Sequence, residues 1–128
     1  MNLQRVWWAF GAVLVVAAVF VCLAPVPEMP DTFDWGDKTF HMIGHGMLAL
    51  YFAGLVPRRA WWRIFVCLLL GGIVIEFAQF YMQVGRNGDP RDVVANAAGA
   101  ILGLGAARLG LSRWPDLAAW LLGQRAAQ

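Results

Sequence analysis

Four long stretches of the chain contain almost no charged residues. They cover residues 6–24, 39–56, 64–85 and 93–107, and their only acidic, basic or histidine residues are Glu76, His41 and His45. A helix needs about 20 mainly apolar residues to cross a bilayer. The last stretch is shorter, but the charged residues at its two ends can reach toward the interfaces. The pattern predicts an all-α membrane protein, a bundle of four transmembrane helices.

The composition and the C-terminal tail agree with a chain in contact with lipid. The chain is 60% hydrophobic and 14% charged, whereas soluble domains are about half apolar and about a quarter charged. We therefore interpret residues 1–128 as a single transmembrane domain. After the fourth stretch, Leu117, Trp120 and Leu121 share one face of an amphipathic segment. This face predicts a short interfacial helix on the inner membrane surface.

The positions of the cations predict the orientation. Seven would be cytoplasmic if both termini were inside, and three would be external. The seven are Arg5, Arg58, Arg59, Arg63, Arg108, Arg113 and Arg125, and the three are Lys38, Arg86 and Arg91. We expect a multi-pass protein with both termini in the cytoplasm. The first stretch could instead be a signal peptide, but it is longer than the usual 7–15 apolar residues, and Pro25 follows a poor cleavage site. The net charge is +2, and the chain contains no run of basic residues that would suggest nucleic acid as a partner.

Polar residues lie at helical spacing in three of the predicted helices. Each set falls on one face of its helix. The sets are Asp37, His41 and His45 with Lys38 beside them, then Glu76, Gln79 and Gln83, and then Asp92, Asn96, Gly99 and Gly103. Under the predicted orientation, all three sets meet in the outer half of the bundle. Ionisable groups at that depth cost several kcal/mol unless they are paired or hydrated, so they are functional candidates by default.

Structural explanations compete with a functional one for several of these residues. Asp89 suits the N-cap before Pro90, Asp92 could complete a capping box, and Asp37 could cap its own helix. Gln79 and Asn96 could simply join helices. The GxxxG spacing from Gly99 to Gly103 favours helix packing, and Glu76 could be a structural ion-pair partner of Arg86 or His41.

The two histidines could in principle bind zinc. A pair at i and i+4 is a known zinc-binding arrangement, but His41 and His45 are accompanied by neither an HExxH motif nor another complete ligand set. From the sequence we therefore expect no metal ion and no cofactor.

The order of these residues resembles the VanZ-like family. That family shows a DKxxH motif before its second helix, ExxQ in the third, and an arginine followed by DxxxNxxG entering the fourth. The matching residues here are Asp37, Lys38, His41, Glu76, Gln79, Arg86, Asp92, Asn96 and Gly99. The resemblance covers roughly residues 35–105. Where the family often has an aromatic residue four positions after its histidine, this chain has His45.

The resemblance implies a protein of the bacterial cytoplasmic membrane. The founding members are associated with resistance to the glycopeptide teicoplanin, and the family has been suggested to act on lipid head groups or lipid-linked envelope precursors. The expected partner is therefore a membrane lipid or such a precursor.

The leading hypothesis is an enzyme whose site opens outward and carries out transfer or hydrolysis at a lipid head group. His41, oriented by Asp37 or Asp92, would be the general base or nucleophile, and Glu76 a proton donor or partner. The substrate-binding candidates are Lys38, Arg86, Arg91, Gln79, Asn96 and His45. Two alternatives stay open: a lipid- or anion-binding or transport protein without catalysis, and a structural partner of a larger envelope complex.

Overall fold

The computed structural model describes residues 2–25, 34–82 and 88–123, without the side chains of residues 34 and 35. Within these ranges every regular element is a helix. The α-helices are α1 (Leu3–Leu23), α2 (Asp34–Ala53), α3 (Trp61–Met82), α4 (Pro90–Arg108) and α5 (Trp114–Leu121). Short 3-10 segments precede α3 at Arg58–Ala60 and α5 at Leu111–Arg113. The all-α prediction is confirmed.

Length and composition identify two candidate membrane spans among the described residues, Leu3–Leu23 and Arg58–Met82. A third is counted if α4 and α5, which are bent by 75° relative to each other, form one broken span. The length and apolar composition of these helices therefore identify an integral membrane protein. α2 does not qualify by this criterion, because its charged first turns and its histidines and glycines lower its mean hydropathy. The four-span bundle thus remains a prediction.

Glycine residues bring α2 and α4 into direct backbone contact. The two helices run parallel, since Met42 faces Gly99 and Gly46 faces Gly103. A Cβ atom added at Gly99 would overlap the carbonyl of Met42, and one added at Gly103 would overlap the carbonyl of Gly46. The predicted packing role of the GxxxG spacing is confirmed.

The apolar core is small and lies toward the end of the bundle away from the polar residues. It is formed by Ala49, Ala53, Trp61, Ile64, Ala100 and Ala107. Trp61 Nε1 donates a 3.1 Å hydrogen bond to the carbonyl of Ala53, so that the start of α3 is fixed against the end of α2.

Aromatic residues attach α1 and α5 to this same end. The Tyr51 hydroxyl donates a 2.6 Å hydrogen bond to the Trp7 carbonyl, and Trp114 Nε1 donates a 3.1 Å hydrogen bond to the Tyr51 carbonyl. The rings of Tyr51 and Trp114 are stacked with centroids 4.8 Å apart. The predicted C-terminal helix is therefore present as α5, and its residues Leu117 and Trp120 are exposed.

Candidate functional site

The buried polar side chains of the described residues belong to α2, α3 and α4. They are His41, His45, Glu76, Gln79, Asp92 and Asn96, with exposed fractions from 1% for Asn96 to 8% for His45. All six belong to the three polar sets predicted from the sequence. The helices thus turn these faces toward one another and away from lipid.

Asn96 orients the imidazole ring of His41. His41 Nδ1 lies 3.1 Å from Asn96 Oδ1. Since an amide oxygen only accepts hydrogen bonds, Nδ1 carries the hydrogen and donates it, and in the neutral ring the lone pair is then on Nε2. Nε2 is buried and makes no hydrogen bond with any described residue. The sequence analysis expected Asp37 or Asp92 to orient this ring, and that expectation is wrong because Asn96 holds the Nδ1 side.

Asp89 caps α4 as predicted, and its own amide reaches α3. Asp89 Oδ1 accepts a 2.9 Å hydrogen bond from the Arg91 amide, as an N-cap residue should. The Asp89 amide donates a 2.8 Å hydrogen bond to Glu76 Oε2. A capping box would need the Asp92 carboxylate at that amide. The predicted capping box is wrong, because Glu76 takes that position.

Lys38 joins α2 to the beginning of α4. Its Nζ lies 3.0 Å from Asp89 Oδ2 and 3.6 Å from Asp92 Oδ1. The second distance is an ion pair beyond hydrogen-bond length. The Arg91 amide first, and then Lys38, hold the pKa of Asp89 below its usual value of 3.8. The lysine therefore shares its charge between two carboxylates and is closer to Asp89.

Asp37, His41 and Asp92 bring one possible ligand atom each into a small volume. These three atoms, one ring nitrogen and two carboxylate oxygens, all lie within 4.8 Å of one another. Glu76 lies close enough to interact electrostatically with all three residues. Acids from α2 and α4 and one histidine therefore surround a common point, and the Glu76 carboxyl group of α3 lies within electrostatic range of it.

Several buried polar atoms at this point have no hydrogen-bond partner within the described part of the chain. They include His41 Nε2 from α2, Glu76 Oε1 from α3 and Asp92 Oδ1 from α4, together with Asn96 Nδ2. Trp7 Nε1, on α1 at the opposite end of the bundle, is the fifth such atom. An unsatisfied buried polar group costs about 1–3 kcal/mol. Four of the five gather here, which makes this region the candidate functional site.

The other predicted site residues differ in their surroundings. Gln79 Nε2 donates a 2.8 Å hydrogen bond to the Cys22 carbonyl at the end of α1, which favours its role in joining helices. His45 Nδ1 donates a 3.1 Å hydrogen bond to the His41 carbonyl, one turn earlier on α2. Arg91 is exposed. Gln83 and Arg86 lie outside the described residues.

The sequence analysis did not include Asp89 among the site residues. Its cap position was recognised, but the contacts of its amide with Glu76 and of its carboxylate with Lys38 depend on how three helices meet. The one sequence signal was its place directly before Pro90, which fixes where α4 begins.

Comparison with known proteins identifies the family. A family description, VanZ/LLP1, matches residues 3–111, a range that contains all the site residues described above. Comparisons with curated proteins and with solved structures each found no match. The match over most of the chain and the resemblance of its motifs agree, and the chain belongs to the VanZ/LLP1 family.

Proposed function

We propose that the chain crosses the bacterial cytoplasmic membrane four times, with both termini in the cytoplasm. The support for α2 as a span comes from its packing. It is 20 residues long, which corresponds to about 30 Å, and it lies along α4 in the same direction. Its histidines face inward, while Phe40, Ile43 and Met47 are exposed. Its low mean hydropathy therefore reflects its buried face, and its outer face suits lipid.

We further propose that the site binds the anionic head group of a membrane lipid or of a lipid-linked envelope precursor, and catalyses its transfer or hydrolysis. The observation that carries this proposal is the set of unpartnered atoms on His41, Glu76 and Asp92, each from a different helix. A polar ligand with both donors and acceptors would satisfy them. Lys38 would bind the anionic group by exchanging one of its carboxylate partners, Asp89 or Asp92, for it.

Each residue has a distinct task in this proposal. Lys38, Arg86 and Arg91 bind phosphate oxygens, arginine through paired donors. The Nε2 lone pair of His41 accepts the proton of the attacking hydroxyl group or water. The Glu76 carboxyl group donates a proton to the departing oxygen.

An apolar groove between α1 and α3 supports a lipid over a soluble anion. Its volume is about 330 Å³. Its lining includes Val19 and Leu23 of α1 with Leu70, Val74 and Ile75 of α3. Ile75 is adjacent in sequence to Glu76. An acyl chain lying in this groove would keep the attached head group near the outer half of α3.

The proposal is tested with purified protein in nanodiscs of mixed phospholipids. We expect mass spectrometry to show a covalently altered head group with the wild type, and more than a tenfold loss of product in His41→Ala and Glu76→Gln. Asp116→Asn, on the exposed helix α5, is the control and should retain wild-type turnover. Lipid binding, or movement of lipid between the leaflets, without an altered head group would favour the binding or transport alternative over catalysis. The absence of both lipid binding and altered product would contradict the proposal.

A further inference from the structure

We propose that Asp37, His41 and Asp92 bind a divalent transition-metal ion of the Zn²⁺ or Mn²⁺ class. The three residues provide one imidazole nitrogen and two carboxylate oxygens. Imidazole suits zinc and other later transition metals, and carboxylates suit harder ions such as Mn²⁺. Three protein ligands leave further coordination positions for water or a phosphate oxygen, as in catalytic zinc sites.

The spacing of the ligand atoms fits such an ion after a small movement. The three atoms lie within 4.8 Å of one another. With metal–ligand bonds of about 2.0–2.2 Å, ligand atoms on one ion are separated by up to about 4 Å. Side-chain rotations that move each carboxylate oxygen by less than about 1 Å would bring the three atoms within bonding distance of one ion. Asp37 is half-buried.

The state of His41 is an independent indication of a ligand. Metal-binding histidines almost always donate their second ring N–H to a carboxylate, a carbonyl or water, which fixes the tautomer. Here His41 Nδ1 donates to the carbonyl oxygen of the Asn96 amide. The ring is 5% exposed, and its Nε2 lone pair has no partner among the residues that the structure describes. Asn96 therefore occupies the position of an outer-shell residue of a metal site.

Asp92 has an oxygen that can turn to the ion without breaking a hydrogen bond. Its Oδ1 is buried and lies 3.6 Å from Lys38 Nζ, while Lys38 is held at 3.0 Å by Asp89. Lys38 can thus remain with Asp89 when Asp92 binds a metal. The lysine is also a competing cation, and without it Asp92 should bind metal more tightly.

The role of the ion rests on the proposed function, because an ion here would contact the phosphate bound by Lys38. It also refines that proposal. With His41 bound to the ion, the Glu76 carboxylate, whose Oε1 is unpartnered, would first accept the proton of the attacking group and then donate it to the departing oxygen. A divalent ion would neutralise the two clustered aspartates and polarise the phosphate oxygen.

The test measures metal directly, separately from lipid chemistry. The full chain is purified in detergent, stripped with a chelator and equilibrated with buffered Zn²⁺ or Mn²⁺, and bound metal is counted by mass spectrometry. Visible absorption of bound Co²⁺ reports the ligand field of the site. We expect about one ion per chain, at least tenfold weaker binding in His41→Ala, Asp37→Asn and Asp92→Asn, and wild-type binding in Asp116→Asn. Thermal unfolding checks that each variant is folded, and the half-buried Asp37 gives the variant least prone to misfolding.

Two outcomes would overturn the site, and two others would separate the site from the lipid chemistry. Wild-type protein that retains no more Zn²⁺ or Mn²⁺ than the Asp37→Asn, Asp92→Asn double variant would do so. Loss of binding in His45→Ala with full binding in Asp92→Asn would assign the ion to the histidine pair instead. One ion bound with no lipid product would support the metal site and contradict the catalytic function. Lipid product formed at full rate by metal-free protein would remove the ion from the reaction.

Discussion

Glu76, in the C-terminal half of α3, accepts a 2.8 Å hydrogen bond from the backbone amide of Asp89, the residue that caps α4. One buried carboxylate therefore fixes the beginning of the next helix and still presents its other oxygen, Oε1, to the site. This contact predicts that the structural and chemical roles of Glu76 can be separated by substitution.

Glu76→Ala and Glu76→Gln should differ in stability but agree in activity. Alanine leaves the Asp89 amide without its acceptor, and we expect a loss of about 1–3 kcal/mol in the free energy of unfolding. Glutamine retains an acceptor oxygen and should unfold within about 1 kcal/mol of the wild type, while losing the carboxyl chemistry. Denaturant titration in detergent micelles measures both. An alanine variant as stable as the wild type would show that the hydrogen bond contributes nothing.

Asp89→Ala and Asp89→Asn separate the helix cap from the ion pair. Alanine removes the acceptor for the Arg91 amide and should cost about 0.5–2 kcal/mol. Asparagine is an equally good N-cap residue, so its variant should lose only the contribution of the carboxylate charge beside Lys38. Equal losses in the two variants would assign the whole effect to charge.

The advantage of wild type over Asp89→Asn should depend on pH. The Arg91 amide and Lys38 lower the pKa of Asp89 from 3.8 in the folded protein. A depressed folded pKa stabilises the fold fully above the unfolded value, and this stabilisation is lost as the pH falls through the folded value. We expect a smaller difference in unfolding free energy at about pH 3 than at about pH 6. Comparing the two proteins at each pH cancels the contributions of groups that do not interact with Asp89.

Gly99→Ala should disrupt the α2–α4 contact, whereas Gly105→Ala on the same helix should not. A Cβ atom at Gly99 overlaps the Met42 carbonyl, and one at Gly105 meets nothing within 4 Å. We expect a loss of about 1–3 kcal/mol for the first variant from overpacking. The second should be neutral or gain about 0.5–1 kcal/mol from helix propensity. Thermal unfolding of the two variants gives the comparison, and equal effects would mean that the close approach tolerates a methyl group.

Asn96→Ala should weaken metal binding, and Gln79→Ala should not. Both amides are buried, but Asn96 accepts from His41 while Gln79 donates to the Cys22 carbonyl of α1. Loss of an outer-shell partner typically lowers metal affinity about 10- to 100-fold. Competition between the protein and a coloured chelator for Zn²⁺ measures this change. If both variants bind Zn²⁺ like the wild type, Asn96 does not act through His41.

Cysteine labelling tests whether α3 crosses the membrane and in which direction. Cys22 and Cys67 are thiols outside any disulfide, so the experiment uses a background with both replaced by alanine. A cysteine placed at Asn87 should react with an impermeant maleimide added to whole cells, and one placed at Arg59 should react only after the membrane is opened. The opposite result would invert the orientation, and labelling of both from one side would show that α3, the α-helix between them, does not cross the membrane.

The sequence predicted the helices and the faces that become buried, because both follow from local patterns. Pro90 and Asp89 fixed the beginning of α4, and the spacing of Asp92, Asn96 and Gly99 placed them on one buried face. The uncharged stretches located the helices, although only α1 and α3, the latter together with its preceding 3-10 turn, qualify singly as spans by composition.

Pairings between helices could not be predicted, because they depend on depth and rotation within a few ångströms. The i, i+4 spacing placed Asp37, His41 and His45 on one face of α2, but it did not show that Asp37 and His41, and not His45, would group with Asp92. Asn96 rather than a carboxylate orients the His41 ring. For residues on different helices, their separation in the sequence does not show which of them lie at the same depth in the bundle.

The glycine contact between α2 and α4 has a consequence for where His41 can be. Asn96 lies about one turn above Gly99, and His41 lies next to Met42, whose carbonyl abuts Gly99. A slip of one turn between the helices would displace the imidazole by about 5.4 Å, far beyond reach of the Asn96 amide. Gly99 and Gly103 thus fix the register of α4 against α2, and with it the height of the His41 ring relative to the Asn96 amide.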